Sequence, residues 1–166
     1  MIAADVSDYR ELARRRLPFF LFEYVDGGSY TETTLAQNTA DLRAIKLRQR
    51  VMRDVGEIDL STSFFGQQSS LPVVLAPIGL AGMYARRGEV QAARAAEDAS
   101  VPFTLSTVAC CAIEEVRKSV RNPFWMQLYM IRDRTFMTDL LARARAAGIT
   151  TLVLTVDLPT HSIRHR

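Results

Sequence analysis

Four runs of apolar, β-branched or aromatic residues punctuate the second half of this chain, at residues 71–76, 103–107, 124–130 and 150–157. Three segments with helical spacing separate them, at 89–99, 113–120 and 136–147. This alternation constrains the fold more tightly than any other feature of the sequence. Strand, helix, strand, helix in this rhythm means parallel strands joined by crossover helices. The runs are apolar on both faces, as strands of a parallel sheet covered on both sides are. The last helical segment stops at Gly148, a residue suited to a helix C-terminus.

Two architectures share that order, the doubly wound sheet and the (β/α)8 barrel. A dinucleotide-binding doubly wound sheet carries G-x-G-x-x-G after its first strand. Gly79-Leu80-Ala81-Gly82 is too short and lacks that pattern. The barrel has separate support, because each run ends in groups that can carry chemistry: Pro77-Ile78-Gly79, then Ser106-Thr107, then Gln127 and Tyr129, then Thr155 and Asp157. Barrel enzymes keep their sites at the C-terminal ends of the strands. Gln127 and Tyr129 are two residues apart and share one strand face, as do Thr155 and Asp157. A complete barrel takes about 250 residues. Residues 71–166 hold about four βα units, and four strands leave both edges of a sheet open. The expected fold is therefore α/β, of the TIM (β/α)8-barrel family, and incomplete. One domain spans 1–166, with a mainly helical preface over 1–70 and the first barrel strands and helices over 71–166. The chain reads as the N-terminal half of a longer protein.

Within the preface, Ser7 is the expected N-cap of a first helix, with Asp8 and Glu11 in its first turn. Pro18 opens a second helix and Gly27-Gly28 stops it. Its residues 19–25 are apolar nearly all round, so it is expected to be buried. A third helix is expected over 31–42. Residues 43–70 are mixed, with short strand-like pieces and turns at Gly56 and Gly66.

Composition narrows the function classes. Hydrophobic residues make up 48% and charged residues 23%, the proportions of an ordinary globular protein. A chain of this length is expected to bury about 70% of its unfolded surface. The net charge of +3 comes without a run of five basic residues, which disfavours a dedicated nucleic-acid binder. Cys110 and Cys111 are adjacent, so no disulfide framework is expected and a reducing compartment fits. No metal site is expected: CxxC and HExxH are missing. The i, i+4 pair His161 and His165 lies at the chain end, where Pro159 argues against a helix. The N-terminus carries Asp5 and Asp8 rather than the basic region of a secretory signal. The weakly polar stretch 71–85 holds two prolines and two glycines and is shorter than the about 20 residues of a membrane span.

Six segments, in order, resemble the FMN-dependent L-2-hydroxy-acid dehydrogenase and oxidase family, and within it the branch of bacterial quinone-linked L-lactate dehydrogenases. They are Phe22-Glu23-Tyr24-Val25-Asp26-Gly27-Gly28, Leu75-Ala76-Pro77-Ile78-Gly79-Leu80, Met83-Tyr84-Ala85-Arg86-Arg87-Gly88-Glu89, Pro102-Phe103-Thr104-Leu105-Ser106-Thr107, Gln127-Leu128-Tyr129 and Leu154-Thr155-Val156-Asp157. The resemblance covers essentially the whole chain. It implies FMN as cofactor, L-lactate or a similar 2-hydroxy acid as substrate, and pyruvate as product. It also implies a quinone or respiratory-chain acceptor and a homo-oligomer at full length. The implied location is cytoplasmic, extending to peripheral attachment at the cytoplasmic face of the inner membrane.

By position, the resemblance gives Tyr24 and Arg164 to the substrate carboxylate and Tyr129 to the substrate hydroxyl or carboxylate region. Pro77, Ile78 and Gly79 would run their backbone beside the flavin ring. Ser106, Gln127 and Thr155 would hydrogen-bond its polar edge. Asp157 would orient and stabilise a catalytic imidazolium. Plainer readings stand beside these. Tyr24 could be a core aromatic, Pro77-Ile78-Gly79 a simple turn, and Ser106 and Thr155 hydroxyls paired with neighbouring strands. Asp157 could be a helix cap and Arg164 a solvated terminal arginine. Gln127 beside Tyr129 on an interior face is harder to explain as core. In the family the base histidine, the main carboxylate arginine, a lysine near the flavin and the phosphate loops come from the second half of the barrel. His161 and His165 match none of them, and His161-Ser162-Ile163 stands where the family has a small, often glycine-containing turn. The chain alone is therefore expected to be inactive. The rival function is a truncated half-barrel that at most self-associates or binds a partner. An unrelated phosphate-binding barrel enzyme is a third reading, against which the Gln127/Tyr129 and Thr155/Asp157 pairs argue.

Overall fold

The computed structural model describes residues 2–158 and 162–165, and two compact units emerge, Met1–Gly56 with Pro159–Arg166, and Glu57–Leu158. His161, weighed above as a metal ligand, lies outside the described residues.

The first unit is built on helices α1 (Val6–Arg16), α2 (Phe19–Asp26) and α3 (Thr33–Ala44). The cap of α1 is Asp5 rather than Ser7: its carboxylate accepts the N–H groups of Ser7 and Asp8 and the Ser7 hydroxyl. A carboxylate satisfies two orphan donors and suits the positive end of the helix better than one hydroxyl does. Arg10 grips Asp26 with two guanidinium nitrogens and so ties α1 to the end of α2. Pro18 precedes α2 at the cap position, and Gly27 ends it in an extended conformation. The expected burial of α2 holds at Phe22 alone, whereas Phe19 and Phe20 are 79% and 67% exposed. An all-round apolar helix needs partners on every side, and among the described residues Tyr24 and Val25 are exposed as well. Helix α3 starts two residues later than expected, because Glu32 adopts a left-handed conformation and its carboxylate accepts the Gly28 N–H.

The second unit opens with a hairpin, β1 (Thr62–Phe64) and β2 (Gln67–Ser69), paired antiparallel. Both turn residues, Phe65 and Gly66, have positive φ, the geometry that matches hairpin twist. Then come α4 (Ala81–Tyr84), α5 (Gly88–Asp98), β3 (Thr104–Leu105), α6 (Ile113–Ser119), β4 (Trp125–Leu128), α7 (Arg134–Ala146) and β5 (Leu152–Leu154). Strands β3, β4 and β5 pair in that order and all parallel, as the alternation predicts. The run at 71–76 contributes a single parallel bridge, Leu75 to Phe103. Pro72 lacks an N–H and Pro77 ends the extended stretch, so no longer ladder forms.

Helices α5, α6 and α7 present Val90, Ala93 and Ala96, Ile113 and Val116, and Met137, Leu140 and Ala144 at helical spacing. These pack on Phe103, Leu105, Met126 and Leu128. Period two along β3 and β4 then turns Thr104, Ser106, Trp125 and Gln127 to the opposite face of the sheet, and all four are buried. At the start of β4 the Trp125 indole N–H donates to Gln67 at 2.9 Å, and Phe64 and Phe65 stack edge-on against the ring. The hairpin thus covers the N-terminal end of the strands and leaves the C-terminal end for the groups described next. Outside, Arg87 pairs with Glu115 and Arg143 with Glu114, linking the three helices.

Candidate functional site

Gln127 lies at the centre of a hydrogen-bond network at the C-terminal ends of the parallel strands. Its side chain is 2% exposed, and a buried amide must find partners. Its Oε1 accepts the Thr107 N–H at 3.0 Å and a longer bond from the Ser106 hydroxyl at 3.4 Å. Its Nε2 donates to the Thr155 hydroxyl at 2.7 Å. The Ser106 hydroxyl also accepts the Val108 N–H. Thr155 is placed by its own N–H, which donates to the Leu128 carbonyl and prolongs the ladder past β5. Ser106, Gln127 and Thr155, from three consecutive parallel strands, therefore meet side by side.

Thr107, read from the sequence with Ser106 as a strand-end group but given no role of its own, completes this row. Its hydroxyl donates to the Gln127 carbonyl at 2.5 Å and accepts the Tyr129 N–H at 3.3 Å. The alternation rule assigns it to the face opposite Ser106. Strand β3 ends at Leu105, however, and the turn that follows brings both hydroxyls to β4. Tyr129 is half-buried just beyond β4, and Asp157 is exposed beyond β5.

The Pro77-Ile78-Gly79 segment runs beside the turn after β3. The Leu80 N–H donates to the Val108 carbonyl at 3.0 Å. A Cβ on Gly79 would lie 2.9 Å from Val108 Cγ2, closer than packed carbons come. Glycine is what permits this approach. Ile78 is exposed, and Pro77 is half-buried.

Tyr24 and Arg164 meet within the first unit. The Arg164 guanidinium donates through Nη1 to the carbonyls of Tyr24 and Gly27, at 2.6 and 2.7 Å, and its Cζ lies 4.8 Å from the centre of the Tyr24 ring. A cation at the carbonyl end of α2 is favourable, and the guanidinium faces the ring as a cation–π pair. Arg164 is exposed yet anchored, which corrects the picture of a merely solvated chain-end arginine.

Glu89 is a second residue that sequence reasoning passed over. It is 2% exposed, and its Oε1 accepts the N–H groups of Gly82 at 3.1 Å and Cys110 at 2.8 Å. Burial opposes its ionisation, but the N–H of Cys110, its own N–H, the Cys111 thiol and the Gly82 N–H together hold the carboxyl below its ordinary range. The spacing Glu89, Ala93, Ala96 was a usable signal, since it puts a carboxylate in the apolar stripe of α5.

Parallel strands with outer helices, and a polar row at the strand C-termini, define the class: an α/β chain of the TIM-barrel kind, present in part and not closed. Over residues 13–166 the sequence matches the family described as FMN-dependent dehydrogenase. The chain belongs to that family, whose cofactor is FMN. It is 61% identical, over its whole length, to an L-lactate dehydrogenase of Caulobacter vibrioides, of which it covers 43%. It is 58% identical over 166 residues to an L-lactate dehydrogenase of Haemophilus influenzae, of which it covers 44%. Among solved structures, the monotopic membrane protein (S)-mandelate dehydrogenase superposes over 99% of this chain and 44% of its own. The TM-score is 0.93 and the identity 32%. A mandelate oxidase superposes with a TM-score of 0.90 at 34% identity, over 98% of this chain and 47% of its own. The chain thus spans less than half the length of the relatives it matches.

The residues fit the polar edge of a flavin ring. That edge presents carbonyl oxygens and ring nitrogens, which need both donors and acceptors. The Thr155 hydroxyl accepts from Gln127 and keeps its own proton to donate. Gln127 Nε2 keeps a second hydrogen, and Ser106 and Thr155 keep lone pairs.

Proposed function

We propose that this chain is the flavin-edge and partial substrate half of a single-domain FMN-dependent L-lactate dehydrogenase, which oxidises L-lactate to pyruvate and passes the electrons to a quinone-type acceptor. The observation that carries the reading is the Ser106–Gln127–Thr155 row at the ends of three parallel strands. Relatives 57–61% identical and named L-lactate dehydrogenase support lactate over bulkier 2-hydroxy acids.

FMN, when bound, supplies acceptance of the two electrons. Gln127, Thr155 and Ser106 would hold the polar edge of the ring by hydrogen bonds. The backbone of Pro77, Ile78 and Gly79 would run beside the ring, with Gly79 keeping that segment close against Val108. Tyr24 and Arg164 take the substrate carboxylate, with the Arg164 guanidinium giving charge-assisted hydrogen bonds. Tyr129 donates its phenol to the substrate hydroxyl or carboxylate. Asp157 orients the imidazole that removes the substrate proton and stabilises the imidazolium that results. The resemblance assigns that imidazole, and the main carboxylate arginine, to the second half of the barrel. On this reading the 166-residue chain alone does not turn over lactate.

The monotopic relative supports a peripheral membrane location, which suits a quinone acceptor. Among the described residues no helix is long and apolar enough to cross a membrane.

The test joins residues 1–166 to the part of the Haemophilus influenzae relative that follows its matched segment. Anaerobic addition of L-lactate should bleach the flavin of the joined protein, and a quinone analogue should restore its colour. The 166-residue chain alone should not bleach FMN at a useful rate, because loss of a general base alone typically costs 10²–10⁴-fold. Rapid bleaching by the chain alone, or a joined protein that binds FMN but prefers mandelate to lactate, would overturn the assignment.

A further inference from the structure

We propose that Glu89 is a positioning residue: its carboxylate clamps the start of α4, at the end of segment 77–82, to the turn at 106–111 and so fixes the spacing of the two backbone segments that hold the flavin. The inference rests on the flavin-site reading above and extends it to a residue that touches neither flavin nor substrate.

The first argument is the cost of placing a carboxylate there. Glu89 shares its helical stripe with Ala93 and Ala96, and it lines a cavity of about 120 Å³ whose other walls include Leu75, Ala92 and Leu105. An alanine would suit that stripe. A buried carboxylate is expensive unless it is hydrogen-bonded. Oε1 is bonded twice, yet Oε2 is buried and meets no nitrogen or oxygen donor among the described residues. The carboxylate is therefore kept in an apolar stripe chiefly by the two backbone N–H groups that Oε1 joins.

The second argument is what Oε1 joins. Gly82 lies in the segment that follows Pro77-Ile78-Gly79, and Cys110 in the turn that follows Ser106. One oxygen accepts both backbone N–H groups. The loops are in contact along their length. A Cβ on Gly79 would meet Val108 at 2.9 Å, the Leu80 N–H donates to Val108, and a Cβ on Gly82 would meet Cys110 Cβ at 2.6 Å. Glu89 sits at the far end of this seam from Gly79 and Ser106. The cavity behind Ala76, Ile78 and Ser106 gives the seam room to shift if the clamp is lost.

The test compares Glu89→Gln with Glu89→Ala in the joined protein. Glutamine keeps one carbonyl oxygen for the two N–H groups and puts its NH2 where Oε2 has no donor. Alanine removes the acceptor. Glu89→Ala should weaken FMN binding at least tenfold and shift the visible flavin spectrum. The Gly82 and Cys110 amides should exchange at least tenfold faster, with the Met126 and Leu128 amides still protected. Glu89→Gln should stay within about threefold of the parent in affinity and exchange. Unchanged FMN affinity and spectrum in Glu89→Ala would overturn the proposal. So would equal damage in both variants with the β4 amides released, which would mark a general loss of packing. If the parent joined protein binds no FMN, the functional reading fails. The exchange rates at Gly82 and Cys110 then decide by themselves whether the clamp exists.

Discussion

At the scale of single residues, the buried polar groups of this chain are held by both backbone and side-chain partners. Glu89 and Gln127 each collect hydrogen bonds from a neighbouring loop or strand, which lets a 2% exposed polar side chain persist in a packed interior. The two cysteines show how far environment separates identical side chains. Cys111 is buried beside Glu89, and burial, with the adjacent carboxylate, pushes its thiol up to about 11. Cys110 is exposed. Since the thiolate is the reactive form, iodoacetamide at pH 8 should label the folded chain once, at Cys110, and mass mapping should find Cys111 unmodified. Two labels in the folded state would contradict the burial of Cys111. Close approach is equally residue-specific. A Cβ on Gly88 would lie 2.4 Å from the Ala81 carbonyl oxygen, a backbone atom that cannot swing away. Gly88→Ala should therefore destabilise the fold by about 1–3 kcal/mol, the range for overpacking a filled site. Denaturant titration of the two proteins gives the difference directly.

At the scale of elements, α7 is held at its start and along its outer face. Asp133 caps it, accepting the N–H groups of Thr135 and Phe136. Asp133→Ala should cost about 1 kcal/mol, seen as a lower unfolding midpoint with unchanged denaturant slope. Arg143 reaches Glu114 of α6 with two nitrogens at 2.8 Å and holds its carboxyl down to about 2, from an ordinary 4.5. The folded value lies below the unfolded one, so the pair stabilises the fold fully above about pH 4.5. That contribution is lost as pH falls toward 2. Both side chains are over 40% exposed, so solvent screening keeps the effect small. The melting-temperature gap between the parent and Glu114→Gln should therefore be small at pH 7 and vanish near pH 2. A gap that widens on acidification would contradict the assignment. The element boundaries also show where local rules give way. Ser7 yields its cap to Asp5, and the 71–76 run shrinks to one bridge because two prolines withhold donors from the ladder.

At the scale of the whole molecule, the open edge of the parallel sheet governs how the chain behaves in solution. Strand β5 pairs with β4 on one side, and Leu152, Leu154 and Val156 around it are exposed. Phe19 and Phe20 add apolar surface on α2. An unpaired strand edge flanked by apolar side chains invites pairing with another chain. The 166-residue chain by itself should therefore self-associate at micromolar concentration, and Leu154→Lys should shift it toward monomer in light scattering after gel filtration. A parent that runs as a clean monomer would contradict this reading of the β5 edge.

The sequence alone determined the alternation of strands and helices, the parallel sheet and the stripes that form its core. Period two on strands and 3.6 on helices are local rules, and in Glu57–Leu158 they give way at the prolines of the 71–76 run and at the turn after β3. Gln127 and Thr155 were legible as polar groups at the ends of strands, because the apolar runs that precede them mark where the strands lie. What tertiary structure decided was contact between elements distant in sequence. Thr107 joined the polar row because the strand ended before it. Arg164 found the carbonyl end of α2 from 140 residues away. Glu89 met two loops that no spacing rule brings together. Hydrogen bonds of that kind depend on where separate elements pack, and packing is set by the whole set of buried side chains rather than by any one segment.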